Sequence, residues 1–75
     1  MNEKEKAINY INKLLVPNRV CNCCMQNVLK STTDGYKYQC VYCDVDLFDF
    51  ETQEKKNKVT REQFEEMAEI VEGWM

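Results

Sequence analysis

The residues equipped for chemistry in this chain are its five cysteines, at positions 21, 23, 24, 40 and 43. Cys21 and Cys24 form one C-x2-C pair, Cys40 and Cys43 form another, and fifteen residues lie between the pairs. Two such turns, or knuckles, each offer two thiolates to one tetrahedral ion, and this spacing is a strong zinc signal. Cys23 lies inside the first knuckle. Ligation through Cys21 and Cys23 would leave a single residue between ligands, and adjacent Cys23 and Cys24 reach one ion awkwardly. The predicted ligands are therefore Cys21, Cys24, Cys40 and Cys43. Cys23 reads as a small apolar filler or a free thiol near the metal, with redox sensing or alternative ligation as its functional reading. A thioredoxin-like redox pair needs a βαβ context that this sequence lacks. An iron–sulfur cluster takes four cysteines too, and spacing alone does not separate it from zinc. With four protein sulfurs bound, the ion has no open position, so the expectation is one structural zinc.

The size of the chain explains why a staple is needed. Seventy-five residues bury too little apolar surface to hold a fold comfortably without a metal, disulfides or a second subunit. The opening MNEKEKAINYINKLL has no apolar core region and no small-residue cleavage site, and no run approaches a membrane span. The expectation is a cytoplasmic protein, where paired cysteines bind metal more often than each other. Histidine is absent, as is any phosphate-cradling glycine loop. Together with the closed metal site, this argues against an enzyme. The formal charge is −3, the wrong sign for a general nucleic-acid binder. The usage of Lys, Asn and Ile hints at an AT-rich genome, bacterial or phage.

The elements that must position the cysteines are legible in outline. Residues 2–16 place Ala7, Ile8, Ile11, Leu14 and Leu15 at helical spacing, with Glu3 and Glu5 favouring the N-terminal end of the dipole. Pro17 disfavours helical geometry at Val16 and should stop this helix. From residue 19 to 50 the texture changes to short runs broken by turns. STTDG at 31–35 is a turn in which Gly35 can take positive φ, and YKYQC alternates like a half-exposed strand. The apolar parity shifts between Val45/Leu47 and Phe48/Phe50, which requires a bulge or turn near Phe48. Residues 51–59 read as a polar connector. Thr60 and Gln63 have capping-box spacing and open a last helix over 60–74. Phe64, Met67, Ala68, Val71, Trp74 and Met75 share one side of it, with Trp74 expected to pack on Leu14 and Leu15. The fold class expected is small α+β, a cysteine-bearing β unit flanked by two amphipathic helices in a single domain.

The middle of the chain, about residues 19–50, resembles the zinc-ribbon family. The residues that carry the resemblance are CNCC at 21–24 and YQCVYCD at 38–44, with a strand leading into the second knuckle. It implies a thin β unit around one zinc and a role in binding nucleic acid or protein. The chain departs from common ribbon patterns by placing Met25 and Asp44, not glycine, after the second cysteine of each knuckle.

Two surfaces stand out as binding candidates. Glu62, Glu65, Glu66, Glu69 and Glu72 fall within about a third of the circumference of the last helix, at roughly 100° per residue. Their mutual repulsion weakens the helix, so they form either a solvated face or a docking surface for a basic patch on a partner protein. The partner expected is a nucleic-acid-handling protein, with this chain its regulator or inhibitor. The alternative is nucleic acid itself, stacked on Tyr36 and Tyr38 with Lys37 between them, and with Lys30, Tyr42 and KKNK at 55–58 as further contacts. Asp44, Asp46 and Asp49 count against it. Apolar surface left over by two helices and a thin β unit makes a homodimer the third expectation.

Overall fold

The computed structural model describes residues 2–74, so Met75, expected on the apolar side of the last helix, lies outside the described residues. Helix α1 spans Glu3–Leu14 and is opened by Asn2, whose side-chain oxygen accepts from the Glu5 amide at 2.8 Å. It ends two residues earlier than the periodicity predicts. Leu15 is already extended, and strand β1 (Leu15–Cys21) follows without a loop. Four further strands are β2 (Asn27–Lys30), β3 (Tyr38–Cys40), β4 (Val45–Leu47) and β5 (Thr52–Glu54), and helix α2 spans Arg61–Trp74. One sheet in the order β4-β3-β2-β1-β5 contains all five strands, every neighbouring pair antiparallel.

Alternation along β2 divides the molecule into two packed layers. Leu29 points to the helix side and joins Ala7, Ile11, Val41, Met67, Ala68 and Val71 in the larger core, with α1 packed against α2. Its neighbour Val28 points the other way and packs with Cys21, Cys40 and Leu47. Both are fully buried. A half-exposed sheet would leave one of them wet, so the second face must be covered. Val16, Cys24, Tyr38, Tyr42 and Cys43 pack against it. The chain leaves β4 at Leu47, turns at Phe48 into a short 3-10 helix at Asp49–Glu51, and reaches β5 on the opposite edge. The Asp49 carboxylate meets Arg19 of β1 at 3.2 Å and Lys37 before β3 at 3.7 Å, so this strap ties the curled sheet together.

Strand β5 replaces the first part of the expected polar connector. Only Thr52 of its three residues is buried, which is why no alternation announces it; pairing with the free edge of β1 defines it instead. Strand β1 carries an irregularity that Pro17 explains. The β1–β2 register runs Val16↔Val28 and resumes at Val20↔Asn27, leaving Pro17, Asn18 and Arg19 without β2 partners. The buried Asn27 side chain donates to the Pro17 carbonyl at 3.0 Å and the Val16 carbonyl at 3.4 Å, satisfying backbone that the bulge leaves open.

Helix α2 starts as its spacing predicts. The Gln63 amide donates to Thr60 Oγ1 and the Thr60 amide to Gln63 Oε1, both at 3.1 Å, a reciprocal capping box. Gly35 takes φ 89° in the turn before β3. Trp74 differs from expectation. It is 43 % exposed and lines a surface cleft with Tyr10, Thr33, Gln39 and Asp44 in place of packing fully into the helix core. No helix among the described residues is long and apolar enough to cross a membrane.

Candidate metal centre

Topology places the two knuckles together. Strands β1 and β3 both run antiparallel to β2, so they point the same way and their C-terminal ends, Cys21 and Cys40, lie at the same end of the sheet. Two strand spacings separate such ends by about 9–10 Å in a flat sheet. The curl closes that gap. The sulfurs of Cys21, Cys24, Cys40 and Cys43 all lie within 4.8 Å of one another, with Cys24 Sγ and Cys40 Sγ at 3.4 Å.

The donor set fits a metal on geometry and on chemistry. A tetrahedral ion with sulfur arms of about 2.3 Å needs sulfur–sulfur edges of about 3.8 Å, inside the spread of this cluster. Four thiols packed this closely gain little from one another as neutral groups, whereas one divalent cation at their centre attracts all four as thiolates and offsets half of their charge. All five cysteines are free thiols. Cys21 and Cys40 are buried, and Cys24 and Cys43 are half-buried. The Cys23 amide donates to Cys21 Sγ and the Cys43 amide to Cys40 Sγ, each at 3.4 Å. Amide-to-sulfur bonds of this kind stabilise a charged sulfur and orient it toward an ion.

Electrostatics in the cluster are uneven. Burial pushes the Cys21 thiol up, but amide hydrogen bonds from Cys24 and Cys23 and sulfur contacts with Cys24 and Cys40 outweigh it and hold Cys21 below its ordinary value. Burial pushes Cys40 well up, and the neighbouring Cys24 adds to this. Cys43 is pushed up to about 12, by burial first and then by its contact with Cys24. Without a cation the cluster therefore resists carrying more than a fraction of its full charge. A divalent ion removes that resistance, which is the behaviour of a metal site.

Knuckle geometry answers the missing glycines. Met25 and Asp44, the residues that follow Cys24 and Cys43, have φ of 60° and 57°. Both occupy the left-handed region that glycine would enter freely. The two knuckles thus make the same turn at equivalent positions without it. Aspartate tolerates this conformation better than methionine, so the cost falls mainly on Met25. Cys23 sits in the first knuckle with its side chain exposed, outside the sulfur cluster.

Tyr42, inside the second knuckle, links the site to α2. It packs against both cores, and its hydroxyl lies 3.4 Å from the Gln63 carbonyl and from Glu66 Oε2. Burial, then the negative charge of Glu66, pushes this phenol up to about 12. Sequence spacing gives no hint of this tie, because the contact depends on how α2 docks.

The candidate binding residues are dispersed differently. Glu62, Glu65, Glu66 and Glu69 converge on one shallow acidic hollow on the outer side of α2, while Glu72 is half-buried. Glu65 is paired with Arg61 at 3.4 Å. Of the tyrosine strand, Tyr36 is exposed and Lys37 largely so, but Tyr38 is half-buried, with Arg19 lying over its ring at 5.4 Å and Lys37 at 5.8 Å. Lys30 is exposed, as are Lys55, Lys56 and Lys58 in the connector. Phe48 and Phe50, where the apolar parity shifts, are brought beside Tyr36 by the strap. Four cysteines are thus positioned to bind one metal ion in a small α+β domain. The chain matches no protein family, no curated protein and no solved structure, so its likeness to zinc ribbons rests on the cysteine spacing and the two knuckles.

Proposed function

We propose that this protein is a zinc-stabilised interaction module that acts in a reducing compartment by protein–protein contact, as a regulator or inhibitor of a nucleic-acid-handling protein. The observation that carries this reading is the closed sulfur cluster. Four cysteine sulfurs gathered within 4.8 Å supply every position of a tetrahedral ion, so zinc there holds the fold and leaves no site for substrate. What remains for function is surface. The exposed glutamates of α2 form its most concentrated charge, and a basic patch on a partner is their natural complement. An AT-rich bacterial or phage origin fits the composition and a small acidic inhibitor.

Two measurements test this. Purified protein should contain one zinc per chain by elemental analysis. The combined change Glu65→Gln, Glu66→Gln and Glu69→Gln should leave the fold intact, since it removes like-charge pairs worth a few tenths of a kcal/mol each. Against a basic partner captured by pull-down, the same change should slow association and flatten its salt dependence. Unchanged rate and salt response would remove the acidic face from the mechanism.

The second reading is a zinc-ribbon nucleic-acid binder, favoured by the exposure of Tyr36 and Lys37. It requires micromolar or tighter binding that weakens steeply with salt and is lost on changing Tyr36→Ala with Tyr38→Ala. The covered ring of Tyr38 and the acidic net charge count against it.

A further inference from the structure

Three aromatic rings form a column on the outside of the strap, where neither core uses them. Tyr36 and Phe48 stack with centroids 4.8 Å apart and planes inclined by 25°; Phe48 and Phe50 stack at 5.5 Å and 15°. Their exposures are 40 %, 42 % and 79 %. Contiguous exposed rings on so small a protein mark a surface for another molecule. Stacking on one another occupies their inner faces and leaves the outer face of Phe50 as the broadest open plane.

Charge around the column selects the occupant. Asp49 and Glu51 flank Phe50 in the chain and Lys37 follows Tyr36, whereas Asp44 and Asp46 lie apart, in the cleft lined by Trp74. Lys37 and the nearby Arg19 both already meet Asp49. A nucleic-acid strand stacking its bases here would bring its phosphates against the Asp49 and Glu51 carboxylates. A guanidinium meets neither objection. It is planar and cationic, so it stacks on the negative face of an aromatic ring, and its N–H fork donates to carboxylates. Lysine offers the charge without the plane.

We propose that the Tyr36–Phe48–Phe50 column docks an arginine-bearing segment of a partner protein, with a guanidinium on the free face of Phe50. This rests on the reading of the protein as a protein-contact module, but uses a different surface from the α2 glutamates.

The test titrates the full-length zinc-loaded protein with three probes: a peptide of three Arg-Gly repeats, its Lys-Gly counterpart, and an oligouridylate. The arginine peptide should bind about threefold or more tightly than the lysine peptide. Phe50→Ala should erase that preference with zinc content and circular dichroism unchanged, since the residue lies outside both cores. The triple glutamine variant on α2 should weaken both peptides alike and keep their ratio. If it weakens neither while the Phe50-dependent preference persists, the acidic face fails and the column stands. Equal affinity for the two peptides, or a preference that survives Phe50→Ala, overturns the proposal. Oligouridylate binding tighter than the arginine peptide and lost with Phe50→Ala overturns it in favour of nucleic acid. Dimerisation abolished by Phe50→Ala overturns it in favour of a second copy of the chain.

Discussion

The two faces of the sheet are held together by different means. On the helix side, seven buried residues from four parts of the chain interlock, and partly buried neighbours such as Ile8, Leu14 and Phe64 extend them. On the other side the buried set is Cys21, Val28, Cys40 and Leu47, two of them cysteines, with Val16, Tyr38, Tyr42 and the two remaining ligand cysteines packed against it. The first face follows the ordinary rule that burial drives folding. The second has too few apolar groups for that rule, and it is where the sulfurs converge. A small domain with one adequate core and one inadequate core gathers its candidate metal ligands at the inadequate one.

The comparison is most sharply broken by taking the metal away. Structural zinc supplies on the order of 10 kcal/mol in small domains, comparable to the whole stability of a fold this size. Chelation, or Cys40→Ser, should therefore abolish cooperative thermal unfolding, and near-ultraviolet circular dichroism should lose its tertiary signal. Acidification should do the same by another route. The ligand sulfurs bind as thiolates, so protons compete for them and stability falls as pH falls; zinc release followed with a colorimetric chelator reports it. A native-like unfolding transition in metal-free protein would show that the strap and Val28 suffice.

Next in size is the helix face. Ile11→Ala removes a fully buried side chain from the larger core and should cost about 2–5 kcal/mol. Denaturant midpoints measured in excess zinc should fall accordingly, while zinc stoichiometry stays at one per chain. Loss of zinc from this variant would mean that the two faces fold as one unit and not as separable layers.

Smaller effects sharpen the account of the knuckles. Met25→Gly places the freely left-handed residue where φ is 60° and should stabilise by about 1 kcal/mol in chemical denaturation. Asp44→Gly should gain less, since aspartate already tolerates that region. Equal gains at the two sites would contradict the unequal strain inferred for them. Smallest of all, Cys23→Ser should change neither zinc content nor unfolding midpoint beyond a few tenths of a kcal/mol, the range of an exposed substitution.

How much of this was legible beforehand depends on how local the signal is. The two helices and the Thr60–Gln63 cap are written in short-range spacing and appear in place. The two C-x2-C pairs are equally local, and the four sulfurs do converge. Strand β5 was invisible because Thr52, Gln53 and Glu54 have no alternation of their own; the free edge of β1, more than thirty residues earlier, makes them a strand. The early end of α1 shows tertiary pairing overriding propensity: Leu15 and Val16 fit a helix but are claimed by Leu29 and Val28. The missing glycines after each knuckle reflect the same hierarchy. Convergence of two hairpins forces the turn, and Met25 and Asp44 accept it. Trp74 was placed by its apolar character alone, whereas its exposure depends on where α2 stops against the sheet.

The position of the ligands along the chain also sets an order of assembly. Each knuckle sits between two adjacent strands of one hairpin, so half of the donor set is presented by a contact closed over only a few residues. By contrast β5 must find β1 across more than thirty residues, and α2 must find α1 across most of the chain, and long closures are the slow ones. The hairpins thus bring pairs of thiolates to an ion before either long-range docking is complete, and an ion held by both hairpins shortens the remaining search. In a stopped-flow refolding experiment with cobalt as the ion, the thiolate absorption bands should rise ahead of the final helix signal. Assembly would then begin at the face with the weaker core and finish at the stronger one.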